Sequence, residues 1–154
     1  MSIFDELLPI GRKFTSPGRT ISEGDFTLLT NLTWTTAEIH SNREYMKNTQ
    51  FGDMILAGPC TVAVMIGMSS HGPFGALFDP SKLRIVALLG LDEIRFRAPV
   101  LPGDTLTAYA ELLDVRPSQK DPQRGILRVR DSATNQKGEQ VAECIRTMMI
   151  EVAD

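Results

Sequence analysis

The chain carries near its centre the apolar stretch Gly58-Pro59-Cys60-Thr61-Val62-Ala63-Val64-Met65-Ile66-Gly67-Met68. Pro59 suits the first turn of a helix, because the N–H that proline lacks would have no partner there. The residues after it are apolar on every face that a helix would present, which is typical of a helix buried inside a protein. A helix that crosses a bilayer needs about 20 apolar residues, and this stretch is about half as long. It therefore predicts a buried helix and no membrane span.

Downstream of this helix the sequence changes to the alternation of period two that is typical of strands. Residues 85–91 are nearly all apolar, which predicts a strand in the centre of a sheet. Further strands are predicted at residues 94–97, 105–115, 125–131 and 140–152, with a hairpin loop at residues 135–138. Because strand twist accumulates across such a sheet, we expect an α+β fold in which one long, curled antiparallel sheet wraps around the central apolar helix.

Two shorter helices are predicted upstream of the central one. Ser22 precedes Asp25 by three residues, a spacing close to the capping box that begins a helix. The buried face of this helix is expected to hold Phe26, Leu28, Leu29 and Leu32. Asn42 is the expected N-cap of a second short helix at residues 43–47.

Composition and length are those of a globular protein with a single domain, residues 1–154, and 42% of the residues are hydrophobic. The formal net charge of −3 argues against a nucleic-acid-binding protein, which usually carries a basic stripe. Two cysteines are too few for a disulfide scaffold, and no basic segment precedes an apolar one as in a signal peptide. No cluster of His, Cys and carboxylates has metal-ligand spacing. We therefore expect a cytoplasmic protein without a metal site.

Three segments are similar to the motifs of one known family. Residues 51–58, Phe-Gly-Asp-Met-Ile-Leu-Ala-Gly, match its F-G-G-x-I-x-H-G entry to the central helix, and residues 96–104 match its F-x-x-P-V-x-x-G-D turn. Residues 33–40 stand at the place of its active-site signature, G-D-x-N-P-x-H. On these residues the chain resembles, from Ile21 to Val152, the MaoC-like hotdog dehydratases and (R)-specific enoyl-CoA hydratases. The resemblance implies a single MaoC-like hotdog domain that takes an acyl-CoA as substrate or ligand and uses no cofactor.

The resemblance also implies an active site, and this chain departs from the family pattern there. His40 stands where the family has its catalytic histidine, whereas Thr35 replaces the catalytic aspartate and Ala37 replaces the asparagine. Threonine can hydrogen-bond a water molecule but cannot accept its proton at neutral pH. Glu38 is the nearest carboxylate that could substitute, and otherwise it is a solvated loop charge. The catalytic candidates are therefore His40, Thr35 and Glu38.

Substrate-binding candidates follow from the same resemblance. Gly52, Ala57 and Gly58 have no bulky side chain, so backbone N–H groups at the start of the central helix could approach a thioester oxygen. Arg95 and Arg97 flank Phe96 and share the opposite face of a strand. They are candidates for binding the phosphates of coenzyme A, or are simply part of a solvated strand face.

Three functions fit the sequence. The first is an acyl-CoA hydratase or dehydratase, a hydro-lyase, with a remodelled active site. The second is a non-catalytic acyl-CoA-binding protein or an inactive partner subunit, and the third is an acyl-CoA thioesterase that needs a carboxylate such as Glu38 in the site. A homodimer or a higher homo-oligomer is expected, because a single sheet wrapped on one helix leaves a long edge open.

Overall fold

The computed structural model describes residues 2–153. Six helices and six strands lie in this part of the chain. The helices are α1 (Ile3–Leu7), α2 (Glu23–Leu32), α3 (Glu38–Ser41), α4 (Arg43–Met46), α5 (Gly58–Ser69) and α6 (Gly72–Gly75). The strands are β1 (Lys13–Thr15), β2 (Arg19–Thr20), β3 (Leu83–Phe96), β4 (Thr105–Pro117), β5 (Arg124–Thr134) and β6 (Gln140–Val152).

The sheet is antiparallel and has the order β1-β4-β5-β6-β3. Strand β2 pairs with the first two residues of β4. This arrangement confirms the α+β class and the long strands predicted from alternation. The prediction of a central strand at residues 85–91 is wrong, because β3 is the last strand of the sheet in a single chain. Four apolar side chains of residues 85–91 are exposed, namely Ile85, Val86, Leu88 and Leu89.

Helix α5 packs against one face of β4, β5 and β6, as expected for the central helix. Val62 and Met65 are buried against the sheet, and each contributes roughly 1.5–3 kcal/mol by leaving water. The helix is not enclosed on all faces, however, since Ala63 and Gly67 are exposed in the single chain. Small residues occupy the exposed side of the helix. The sequence pattern did not reveal this side, because it is apolar on both the sheet-facing and the solvent-facing positions.

The predicted helix caps are confirmed. The Ser22 hydroxyl accepts a hydrogen bond from the Asp25 N–H at 3.1 Å, and the Asp25 carboxylate accepts one from the Ser22 N–H at 3.1 Å. The Ser22 N–H, and after it the Ser22 hydroxyl, which also donates to the carboxylate, lower the pKa of Asp25. Asn42 caps α4 in the same way, accepting a bond from the Tyr45 N–H at 3.0 Å. The buried face predicted for α2 is only partly correct, because Phe26 is buried but two of its leucines, Leu28 and Leu32, are mostly exposed.

An ion pair lies between two apolar clusters on the helix-facing side of the sheet. One cluster contains α5 and its neighbours, and the other contains Phe4, Phe74 and the far ends of the strands. Between them, Arg146 of β6 contacts the carboxylate of Asp131 of β5, with Nε 2.9 Å and Nη2 3.0 Å from its two oxygens. Ser69, the last residue of α5, donates to the same carboxylate at 2.6 Å. The pair therefore ties the C-terminal end of the central helix to the sheet.

Within residues 2–153, every helix is too short or too polar to cross a membrane.

Candidate active site

A cavity of about 480 Å³ lies at the N-terminal end of α5. One wall comes from α3 and the loop before α5, another from the first turn of α5, and the third from residues 96–100 at the end of β3. The walls are mainly apolar, and His40 and Arg97 are the residues with titratable side chains that line it. The motifs that the sequence places far apart thus meet around one cavity.

His40 is held in a defined orientation by the backbone of the loop before α5. Its Nδ1 lies 2.7 Å from the carbonyl oxygen of Ile55. Because a carbonyl oxygen can only accept, Nδ1 carries the proton and donates. The Ile55 N–H in turn donates to the carbonyl of Ile39 at 3.1 Å, which fixes the two segments together. The other ring nitrogen, Nε2, is therefore the lone-pair acceptor of the neutral imidazole, as a general base requires.

The start of α5 supplies hydrogen-bond donors at the same cavity. Thr61 is the first residue whose N–H is bonded within the helix, to the carbonyl of Ala57 at 2.9 Å. The N–H of Gly58 precedes it and has no partner in the helix ladder, and the helix dipole places partial positive charge there. A Cβ at Gly58 would lie 2.6 Å from Cζ of Phe96. Glycine is needed here because the aromatic ring packs directly on the helix start.

Thr35 and Glu38 do not line the cavity. The Thr33 hydroxyl donates to the carbonyl of Leu29 at 2.7 Å, so the Thr35 hydroxyl is the donor in the 2.8 Å bond that joins the two threonines. Its oxygen also lies 4.0 Å from the sulfur of Cys60. Glu38 is exposed and accepts a bond from the Asn42 side chain at 3.1 Å. A carboxylate is therefore missing from the described lining of the cavity, and the condition for the thioesterase reading is unmet there.

The predicted binding residues are divided between four places. Gly58 and Arg97 line the cavity. Gly52 lies in a turn with φ +73°, and its N–H donates to the carbonyl of Thr49 at 3.2 Å. Ala57 is buried as the N-cap residue of α5, and Arg95 lines a separate cleft.

Sequence reasoning did not find the contribution of Ile55. Its carbonyl orients His40. Every residue type has a backbone carbonyl, so the residue type at position 55 does not indicate this role. Phe96 was seen only as part of a motif, although its ring packs on Gly58 and lines the cavity. No cluster of three or more His, Cys, Asp or Glu side chains suited to a metal ion occurs among residues 2–153.

The arrangement can perform one kind of chemistry with its own groups. A neutral imidazole with a free Nε2 can take a proton from water and return it to carbon. Backbone N–H groups at a helix N-terminus can stabilise negative charge that develops on a carbonyl oxygen. The mainly apolar walls lower the local dielectric constant, which strengthens both interactions.

Comparison with known proteins identifies the same family as the sequence motifs. The sequence matches the pattern of the MaoC like domain over residues 6–135. It is 31% identical over 136 residues to beta-methylmalyl-CoA dehydratase from Chloroflexus aurantiacus, covering 88% of this chain and 36% of that protein. The chain thus spans about a third of the length of that relative. It is also 31% identical over 108 residues to an (R)-specific enoyl-CoA hydratase from Rhodospirillum rubrum, covering 68% of this chain and 67% of the relative.

Among solved structures, a MaoC-like dehydratase from Rhodospirillum rubrum superposes with a TM-score of 0.80 at 20% identity. The superposition covers 100% of this chain and 99% of that one. At this level of identity the likeness concerns the fold, and it confirms the predicted hotdog architecture.

Proposed function

The chain belongs to the MaoC like domain family, and from that premise we propose that it adds water to a 2-enoyl-CoA or removes water from a 3-hydroxyacyl-CoA. The observation that carries the proposal is the bond between His40 Nδ1 and the Ile55 carbonyl, which leaves Nε2 as a base. That base lies in the same cavity as the N-terminus of α5. Family relatives that act on acyl-CoA thioesters support the substrate class.

The reaction proceeds through His40 as both base and acid. In hydration, Nε2 takes a proton from water while the water oxygen forms a bond to C3 of the enoyl group. The electron pair of the C2–C3 double bond moves onto the thioester, whose oxygen accepts a hydrogen bond from the Gly58 N–H. The imidazolium then returns its proton to C2, and the thioester carbonyl re-forms. Dehydration is the same sequence in reverse.

Among residues 2–153, the lining of the cavity includes no carboxylate that would share this work. The loss of one general acid–base group typically lowers the rate by about 10²–10⁴. Thr35 cannot replace it, since its hydroxyl cannot act as a base at neutral pH and is bonded to Thr33. We therefore expect slow turnover carried by His40. The same bond of Thr35 favours the second candidate function, an acyl-CoA-binding protein or inactive partner subunit.

The test follows the loss of enoyl absorbance for a panel of short and medium 2-enoyl-CoAs, starting with crotonyl-CoA. His40→Ala should abolish the activity. The matched control is His71→Ala, which removes a histidine that lies outside this cavity and is bonded to the carbonyl of Gly67. The double variant Thr35→Asp with Ala37→Asn restores the family signature and should raise the rate.

Two results would contradict the proposal. Robust activity that survives His40→Ala would exclude His40 as the acid–base group. Absence of activity from every variant, with acyl-CoA binding retained, would favour the binding protein.

We also propose a homodimer formed along β3. The sequence of residues 85–91 is that of a central strand, yet β3 is an edge strand in the single chain, with exposed apolar side chains. Pairing with β3 of a second copy would convert the edge into the middle of a continuous sheet and remove an association hazard. The end of β3 also forms a wall of the cavity, so the second copy would lie near the site.

A further inference from the structure

We propose that a second cleft, adjacent to the cavity of His40, binds the phosphate groups of coenzyme A and that Arg95 is its main contact. The cleft has a volume of about 350 Å³, and the charged residues that line it are Arg95, Arg97, Arg130, Glu93 and Glu143. The proposal rests on the acyl-CoA function proposed above. It adds Arg130 and Glu143 to the predicted arginines and assigns them to one built site.

Arg95 differs from most arginines on the outer face of the sheet. Five of those are held by a carboxylate: Arg84 and Arg124 by Glu151, Arg97 by Glu143, Arg128 by Asp114 and Arg130 by Glu111. Arg95 is exposed, and its Nη1 donates to the carbonyl of Ile94 at 2.8 Å. In the part of the chain that the structure describes, Arg95 has no carboxylate in ion-pair contact. A guanidinium without a counterion is free to bind an anion from solution.

A bulge in β3 turns Arg95 toward the cleft. The register with β6 shifts between Asp92, which pairs Ile145, and Arg95, which pairs Glu143, so β3 has one extra residue there. Residues opposite each other in an antiparallel pair share a face. Without the extra residue Arg95 would stand opposite Ala142 and point to the other side of the sheet. The bulge places Glu93 at φ +52°, a left-handed conformation that side chains rarely adopt.

Arg97 connects the cleft to the cavity, because its side chain lines both. Glu143 holds it in place, with one oxygen 2.6 Å from Nη2 and 3.2 Å from Nε. This bond is the main cause of the lowered pKa of Glu143. A thioester in the cavity can therefore extend past Arg97 to place its phosphates against Arg95 and Arg130. Glu143 acts as a positioning residue for Arg97.

The charges of the outer face favour coenzyme A over an acyl carrier protein. An acidic protein needs a broad positive surface, whereas most arginines of this face are neutralised by Glu111, Asp114, Glu143 and Glu151. Next to the cavity of His40, the arginine without a carboxylate partner is Arg95, which lies in a recess. A small ligand with several phosphates can reach into that recess, while the carboxylates around it would repel an acidic helix.

The test measures binding by isothermal titration calorimetry with two probes, coenzyme A and adenosine 3′,5′-bisphosphate, the second of which has neither thiol nor acyl chain. Arg95→Gln should weaken the binding of both probes at least tenfold, and Arg130→Gln should weaken it less. Arg128→Gln is the matched control, because Arg128 lies on the same strand as Arg130 and is ion-paired outside the cleft. It should change the affinity less than twofold. The melting temperature of each variant checks that the fold is retained.

The proposal is overturned if Arg95→Gln binds both probes like the unmodified chain, or if Arg128→Gln weakens binding as much. It is also overturned if Arg95→Gln impairs only the binding of an acyl carrier protein. Its failure is separable from failure of the proposed chemistry. Arg95-dependent binding in a chain without hydratase activity supports the cleft and removes the catalytic role of His40. Hydratase activity in a chain whose binding of the probes does not depend on Arg95 supports the catalytic role of His40 and excludes the cleft.

Discussion

Replacing Arg146 by methionine should destabilise the protein strongly, because the buried partner of Arg146 keeps its charge. Arg146 is 4% exposed and Asp131 is 0% exposed. The substitution preserves much of the volume of the side chain but leaves the Asp131 carboxylate with Ser69 as its remaining side-chain donor. Breaking a buried pair by removing one partner typically costs about 3–5 kcal/mol. That is a large share of the roughly 5–15 kcal/mol that stabilises a domain.

The penalty should depend on pH in a defined direction. Burial raises the pKa of Asp131, and Arg146 opposes that rise. Without Arg146 the pKa in the folded state moves further above its unfolded value. A group with a raised folded pKa favours folding at pH values below the unfolded pKa and loses that contribution as the pH rises through the folded pKa. The destabilisation of Arg146→Met should therefore be largest at neutral pH and shrink on acidification.

Urea denaturation followed by circular dichroism at pH 7 and pH 5 measures this effect. The control is the double variant Asp131→Asn with Arg146→Met, in which neither charge of this pair remains and most of the lost free energy of unfolding should return. A single variant within about 1 kcal/mol of the unmodified chain at pH 7 would refute the reasoning. So would a double variant that is no more stable than the single one.

Three further predictions concern the site, a buried thiol and the sheet edge. Gly58→Ala should reduce hydratase activity with a change in stability below about 1 kcal/mol, because its Cβ would push the half-exposed Phe96 ring out of place. The control is Gly67→Ala, whose Cβ would meet nothing within 4 Å and which should leave activity unchanged. Equal activities of the two variants would contradict this prediction. Burial raises the pKa of Cys144 to about 11 from 9.0, so the free energy of unfolding should fall by about 2–3 kcal/mol between pH 9 and pH 11. In urea denaturation at these pH values, Cys144→Ala should lack this part of the pH dependence. If the chain forms the dimer proposed along β3, Leu88→Lys, at an exposed position of that strand, should convert it to a monomer in light scattering. A dimer of unchanged stability would exclude pairing along that edge.

Features that depend on neighbouring residues could be predicted from the sequence. Pro59 and the apolar run after it define helix α5, and Ser22 with Asp25 defines the start of α2. Period-two alternation defines the long strands. These patterns suffice because helix starts and strand faces are set by backbone preferences and hydrogen bonds within a few residues. The family motifs also indicated which segments meet at the cavity.

Tertiary structure alone decided the contacts between distant segments. His40 is oriented by a carbonyl 15 residues away, and Ser69 contacts Asp131 across 62 residues. Residues 85–91 have the apolar sequence of a central strand, yet they form an edge of the sheet. The apolar content of a strand indicates how much surface it can bury, but it does not indicate which strands pair with it. The direction of the Thr35 hydroxyl likewise depends on Thr33 and the packed helix beneath it. Pairing order and side-chain direction follow from packing the whole chain at once, and that information is not local.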